Sequence, residues 1–418
     1  MPLLSFLREN VCWIAGGFLL FLFSAFGQTY FISLSAGDIR AEYGLSHGTF
    51  GSLYMAATLL SALTLTQLGQ IVDRYSARTV ALIIMPMLAL ACAMMALSRH
   101  TVLLFVALFL LRLFGQGMMT HSAFTIMARW FTAQRGRALS IATLGMNAGE
   151  ALFPLLFVAL LGLMDWRNIW WLAAGFLLLA ALPLVTGLIA VERKPEIAGA
   201  APHSSRARAW TRAEVLRDPI FYLVLLAMVP PAFIGNTIFF HQIYLVELRG
   251  WSREVFASSF TLYAAMTIVF TLLSGQLVDR YSALRLLPFY LLPLGLGCIL
   301  LGSIEEPWIA FVFMALCGLT NGFSLSLFGT LWPEIYGLQH LGSIRAVIVA
   351  ILVFASALGP GLTGLLIDLG VSYPGQILAL GVYCWGISIL VRKARYRIAK
   401  RGMVYPENGD LQPISGSH

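Results

Sequence analysis

The sequence predicts an all-α membrane protein: twelve transmembrane helices in two six-helix pseudo-symmetric halves. Three observations carry that prediction. Residues of the AVILMFWYC set make up 59% of the 418 positions and only 11% are charged, whereas a soluble domain is about one quarter charged. Apolar runs recur at lengths near the roughly 20 residues that a bilayer core requires. A charged phrase is also written twice: residues 69–77 read GQIVDRYSA and residues 275–283 read GQLVDRYSA, differing only at Ile71 and Leu277.

Apolar runs bounded by charges and turn residues place the first six spans at 11–34, 48–71, 80–97, 101–127, 138–164 and 169–191. The second six fall at 220–246, 256–277, 286–303, 308–331, 346–366 and 374–390. The first run is longer than the core of a secretory signal and lacks an A-x-A cleavage pattern, so it reads as a retained helix. Between the sixth and seventh runs lies a polar, basic stretch. The expected organisation is therefore an N-terminal half at 1–191, a cytoplasmic linker at 192–218, a C-terminal half at 219–394 and a cytoplasmic tail at 395–418.

Orientation follows from the basic residues. Of the 27 Lys and Arg, 21 fall at the ends of spans that share a side with the N-terminus, five fall opposite, and Arg112 lies inside a span. Positive residues concentrate on the cytoplasmic side. Both termini and the linker are thus expected inside, in a multi-pass protein of a bacterial inner (cell) membrane. The same distribution decides what the net charge of +8 means. Basic residues at alternating membrane ends, and not along one helix face, argue against a nucleic-acid partner.

Cys12, Cys92, Cys298, Cys317 and Cys384 all sit within apolar runs with no CxxC spacing, so they read as small hydrophobes and not as a disulfide or metal framework. No GxxxxGK[ST] motif and no metal-ligand spacing of His, Cys and Asp occurs, which argues against an ATP-driven pump, an enzyme or a bound cofactor. The expected partners are a small-molecule substrate, protons and membrane lipid, with the chain acting as a monomer.

The repeat reaches beyond the charged phrase. LYMAAT at 53–58 echoes LYAAMT at 262–267, and Gly27-Gln28-Thr29 matches Gly235-Asn236-Thr237. Parallel six-helix repeats are the plan of one transporter superfamily. The run Gly69-x-x-x-Asp73-Arg74-x-x-x-Arg78 resembles the signature between helices 2 and 3 of the major facilitator superfamily, and Arg112-x-x-x-Gln116-Gly117 resembles its helix 4 motif. Ser76 stands where the pattern has Gly, and Ala77 where it usually has a basic residue. Residues 128–154, ARWFTAQRGRALSIATLGMNAGEALFP, are similar to the helix 4–5 signature of the monocarboxylate and oxalate/formate transporter group. Members of that group often hold a carboxylate with a basic residue in helix 8, 1 or 11. Spans 256–277, 11–34 and 346–366 carry none here.

Ionisable residues within the membrane are functional candidates by default. Arg112 lies about 16 Å and Glu150 about 18 Å into their spans at ~1.5 Å per residue, so both come near the midplane. Consecutive antiparallel helices pack together, and a direct Arg112–Glu150 pair is expected. It reads either as a structural ion pair or as a coupling device, in which an anion reaching Arg112 lets Glu150 take a proton. His121, nine residues after Arg112, points to the opposite helix face and reads as an interhelical histidine.

The superfamily lines its cavity with helices 1, 4, 7 and 10. The resemblance therefore assigns substrate contacts to Gln28, Tyr30, Arg112, Gln116, Asn236, His241 and Asn321, among aromatics such as Tyr54, Phe239, Phe240 and Tyr263. Asn and Gln can equally bond across helix interfaces. Pro230-Pro231 is expected to kink the seventh span, as a gating hinge or a static bend. Gly145 and Gly149 form a close-packing GxxxG. The repeated phrase is expected to act as a conformational latch through Gly69, Asp73, Arg74 and Arg78, with Gly275, Asp279 and Arg280 as its mirror copy. Asp73 would meet the N-terminal end of helix 11, where the helix dipole favours a carboxylate. The function these residues predict is secondary transport of a small monocarboxylate-like anion with a proton by alternating access. The alternative is a proton-antiport exporter of amphipathic compounds.

Overall fold

The computed structural model describes residues 3–131, 134–193, 210–337 and 341–399. Twelve apolar helices succeed one another: α1 (Phe6–Gly27), α2 (His47–Arg74), α3 (Ala77–Leu97), α4 (Thr101–Trp130), α5 (Gly136–Leu161), α6 (Trp166–Leu188), α7 (Pro219–Phe240), α8 (Arg253–Val278), α9 (Leu292–Ser303), α10 (Ile309–Tyr336), α11 (Ile344–Asp368) and α12 (Tyr373–Arg395). Among the described residues there is no β-strand. Large apolar side chains such as Leu63, Val102, Leu179, Leu272 and Val382 face outward, as a lipid-solvated surface demands. Of the linker, residues 192–193 and 210–218 are described, and in the second stretch Thr211 and Glu214 form a capping box on the helix Arg212–Arg217.

Several helices depart from the expected boundaries; the seventh, expected to reach residue 246, ends at Phe240 and a separate helix, Gln242–Arg249, follows it. The first span does not run on as one helix to residue 34: Gln28 is extended (φ −81°, ψ 151°), and a separate turn, Thr29–Ile32, follows it. The ninth begins only at Leu292, with Pro293 in its first turn, a position where the N–H that proline lacks would have no helical partner anyway.

The chain forms two compact units. Unit 1 comprises Met1–Ala200, Asn236–Ala264 and Pro360–Gly370, and so gathers α1–α6 with the ends of α7, α8 and α11 that lie away from the N-terminus. Within it α5 packs on α1 through the GxxxG pair; a Cβ on Gly145 would come within 2.0 Å of the Phe18 carbonyl. At the end distal to the N-terminus, Asp368 accepts hydrogen bonds from the Ser46 hydroxyl (2.6 Å) and the Gly48 N–H (2.8 Å), capping the start of α2. Beside it Arg40 bonds His47 Nε2 at 2.8 Å, and His241 donates from Nε2 to the Pro360 carbonyl at 3.1 Å.

Unit 2 comprises Ala201–Gly235, Ala265–Gly359 and Val371–His418. Here α9 and α12 pack closely, with Trp385 Nε1 donating to the Leu292 carbonyl at 3.3 Å. Ser274 of α8 donates to Ser326 of α10 at 2.7 Å. The seventh helix passes Pro230 and Pro231 without interruption.

The repeated phrase takes two conformations. In the first copy α2 is interrupted at Gly69–Gln70, and Ile71–Arg74 form a separate turn. Ser76 then caps α3, accepting from the Thr79 N–H at 3.2 Å. In the second copy the helix continues unbroken to Tyr281, and Ser282 carries the reversal at φ 67°.

Candidate functional site

The site is built where two spans of unit 1 are irregular at the same level. Extended Gln28 ends α1 and leaves the Gly27 carbonyl without the donor a continuous helix would provide. Opposite it, Leu111–Met119 of α4 winds as a π-helix, a distortion frequent at functional sites. The two backbones touch: a Cβ on Gly115 would lie 2.5 Å from the Gly27 Cα. Only glycine permits that approach.

Arg112 projects from this π-helical segment and is 4% exposed. Its Nη1 donates to the Gly27 carbonyl at 3.3 Å and to Thr29 Oγ1 at 3.2 Å. The guanidinium lies 5.2 Å from the centre of the Tyr54 ring, within cation–π range. Nε has no hydrogen-bond partner among the described residues. Thr29 also accepts from the Tyr54 hydroxyl at 2.8 Å and donates to Asn236 Oδ1 at 2.5 Å.

The expected Arg112–Glu150 ion pair is not formed. The guanidinium is drawn instead to the carbonyl that the break in α1 exposes. Glu150 Oε2 and the Tyr30 hydroxyl are both buried without a hydrogen-bond partner among the described residues. The Tyr30 oxygen stands 3.2 Å from where a Cβ on Gly149 would lie, beside α5.

The other sequence-predicted contacts distribute unevenly. Gln28 is half-buried and reaches Ser24 Oγ at 3.4 Å, and Gln116 is half-buried in the π-helical segment. Asn236 joins the Arg112 network through Thr29, while His241 lies at the distal end, its ring 6.1 Å from that of His47. Asn321 belongs to unit 2, half-buried on α10. His121 packs beside Gly69, its Nε2 3.2 Å from where a Cβ there would stand. Thr29 is the centre of the network, yet the sequence singles it out only as part of the Gly27-Gln28-Thr29 repeat match.

Asp73, Arg74 and Arg78, expected from the sequence to form a latch, are exposed, Arg74 bonding Gln70 at 3.2 Å. A carboxylate that the sequence did not flag organises this end. Glu192 accepts from the Ala77 N–H (3.1 Å), Arg129 Nη2 (2.6 Å) and Trp130 Nε1 (3.2 Å), while Arg129 Nη1 donates to the Val72 carbonyl at 3.1 Å. In the second copy Glu334 accepts from the Ala283 N–H at 3.1 Å, so the same backbone amide is capped from a different helix. Gly275 has open space where a Cβ would stand, and Arg280 covers the Tyr281 ring at 5.3 Å. The Asp279 side chain lies outside the described residues.

A twelve-helix membrane protein with a buried arginine at a broken helix has the form of a solute carrier. The model of the Major Facilitator Superfamily matches residues 17–360 and 231–403. The chain belongs to that superfamily and is a membrane transporter. No curated protein matches the sequence. Among solved structures it is similar to a bacterial homologue of the human lysosomal transporter Spinster in an inward-facing, unoccupied conformation. That likeness has a TM-score of 0.70 at 16% identity, covering 96% of this chain and 98% of that one. The occupied form of such a homologue gives 0.68 at 16% identity, covering 94% and 97%.

Proposed function

We propose that the protein is a secondary carrier moving a small monocarboxylate-like anion together with a proton by alternating access. Arg112 is the anion site and Glu150 the proton carrier. One observation carries the reading: Arg112 is buried and its described partners are all neutral. A buried charge without a counter-charge is costly, and an arriving carboxylate supplies one with bidentate geometry. Gln28, Tyr30, Gln116 and Asn236 contribute polar contacts from the same unit; His241, at the distal end, and Asn321 rest on the family resemblance alone. The likeness of residues 128–154 to monocarboxylate and oxalate/formate carriers supports the same solute class.

Glu150 suits proton transfer because a carboxyl with no donor to its Oε2 can cross the membrane interior as a neutral acid. With no direct bond to Arg112, its coupling to the anion runs through the conformational change. The charge asymmetry supports cytoplasmic termini, and the two halves 1–191 and 219–394 are the moving bodies. Gly69, Asp73, Arg74 and Arg78, with Gly275, Asp279 and Arg280, form the cytoplasmic latch.

A phenylalanine-rich crevice of about 190 Å³, lined by Phe26, Phe31, Phe153, Phe157 and Phe176 among others, favours as second reading an amphipathic solute exported against protons. Reconstitution into proteoliposomes separates the two. The first reading expects pH-driven uptake of labelled lactate, pyruvate or benzoate, abolished by Arg112→Gln. Glu150→Gln is expected to keep counterflow exchange and lose pH-driven accumulation. Accumulation unchanged in Glu150→Gln, or monocarboxylate flux unchanged in Arg112→Gln, overturns the assignment.

A further inference from the structure

Thr29 Oγ1 stands between two parts of unit 1 that a transport cycle must connect. Arg112 Nη1 and the Tyr54 hydroxyl donate to it, and it donates to Asn236 Oδ1. A hydroxyl has one proton to give and two acceptor positions, so these three bonds saturate it. Asn236 is the first residue of the 236–264 segment, and from there a row of polar bonds holds this segment to the broken end of the first span. Ser33 donates to the Phe239 carbonyl at 2.5 Å, and Gln242 Nε2 donates to the Tyr30 carbonyl at 2.9 Å and to Ser33 Oγ at 2.7 Å. Thr29, Ser33 and Gln242 are all buried, where each bond is strengthened by its neighbours and expensive to lose alone.

We propose that Thr29 couples anion occupancy of Arg112 to release of the 236–264 segment from residues 29–33. Thr29 is a positioning residue: it acts through Arg112 and Asn236 and does not touch the solute. The inference rests on Arg112 as the anion site. Each donor to a hydroxyl oxygen makes its own O–H a stronger donor, through the polarisation that runs along hydrogen-bond chains. A carboxylate that draws Nη1 away from Thr29 removes one of those donors and weakens the bond to Asn236, the first of the row. With the site empty, Arg112 keeps Thr29 polarised and the segment held. By linkage, a released segment raises anion affinity by the same factor that the anion favours release.

The test uses a reporter thiol at Ile243→Cys, a position buried in the helix Gln242–Arg249, with the five natural cysteines replaced. Labelling of the purified protein by N-ethylmaleimide is followed with and without benzoate, lactate or pyruvate. In the parent protein the anion is expected to speed labelling about fivefold, the lower end of ordinary coupling between sites. Arg112→Gln is expected to lose that response. Thr29→Val, which keeps the shape and removes the hydroxyl, is expected to label fast without anion and to respond no further. Thr29→Ser restores both the slow basal rate and the response. Asn236→Ala, removing the other end of the same bond, reproduces Thr29→Val, and the double variant adds nothing to either. If Thr29→Val raises the basal rate but keeps the full anion response, the hydroxyl is merely structural and the coupling is overturned. An unchanged Thr29→Val overturns it too. If no anion affects the parent protein, the reading of Arg112 as an anion site fails, an outcome distinct from the other two.

Discussion

The Tyr290 hydroxyl donates to the backbone carbonyl of Ala227, the carbonyl that Pro231, four residues on, leaves without a donor. Pro230 strips Leu226 in the same way, and the Tyr383 hydroxyl donates there at 3.0 Å. A proline inside a helix removes one i→i−4 bond, and an unpaired carbonyl in an apolar surround is costly. Both debts of the double proline are met by tyrosines of the same unit, from just before α9 and from α12. The double proline, which reads in the sequence as a gating hinge or a static bend, is braced in this conformation, and α7 continues through it.

Tyr290→Phe is expected to destabilise the protein by about 1–2 kcal/mol, the loss from leaving a buried acceptor unsatisfied. The cause is separable from general packing loss. Pro231→Ala restores the N–H that Ala227 lacks, so in that background Tyr290→Phe should cost little. Thermal melting of the four purified proteins in detergent reads the cycle. Equal losses from Tyr290→Phe in both backgrounds would rule the brace out.

The repeated phrase marks how far local sequence reaches. Residues 69–77 and 275–283 differ at one position, and both end a long apolar helix, as the span pattern predicts. Their backbones nonetheless diverge. In the first copy His121 packs beside Gly69 and Arg129 claims the Val72 carbonyl, and α2 is interrupted there. In the second copy nothing stands within 4 Å of a Cβ on Gly275, and the helix runs on to Tyr281. Tertiary partners from a distant part of the chain override an almost identical local propensity, and no reading of nine residues contains them.

That divergence gives the two serines opposite roles. Ser76 caps α3 from ordinary extended backbone, so Ser76→Ala is expected to cost about 1 kcal/mol through the lost cap. Ser282 sits at φ 67° and ψ 151°, a region that glycine alone enters freely. Ser282→Gly is expected to stabilise by about 1 kcal/mol as that strain is relieved. Melting temperatures that fall for both substitutions would contradict the assignment.

Within the site, Arg112 was legible because a charge eleven residues into an apolar run has few innocent explanations. Its partner was not. Projecting α4 and α5 as straight helices brings Arg112 toward Glu150, but the π-helical segment Leu111–Met119 changes the angle per residue from Leu111 onward. The break at Gln28 also exposes a carbonyl that no periodicity announces. Thr29 escaped notice because a single threonine in a span most often bonds its own helix; here it joins residues from α2, α4 and α7.

The latch proposed for the repeated phrase would bear on the same conformational balance. Asp73 is exposed, and among the described residues no hydrogen bond or ion pair engages its carboxylate. Its loss should leave the stability of this conformation within about 0.5 kcal/mol of the parent. If Asp73 instead meets the N-terminal end of α11 when the cytoplasmic side closes, Asp73→Asn removes about 1 kcal/mol from that state alone, roughly a fivefold change in population. On the coupling proposed for Thr29, the balance then moves toward the form in which the 236–264 segment is held. The Ile243→Cys thiol should accordingly label more slowly in Asp73→Asn, while benzoate affinity measured with the segment held stays near that of the parent. An unaltered labelling rate would leave the repeated phrase with a role in topology and none in gating.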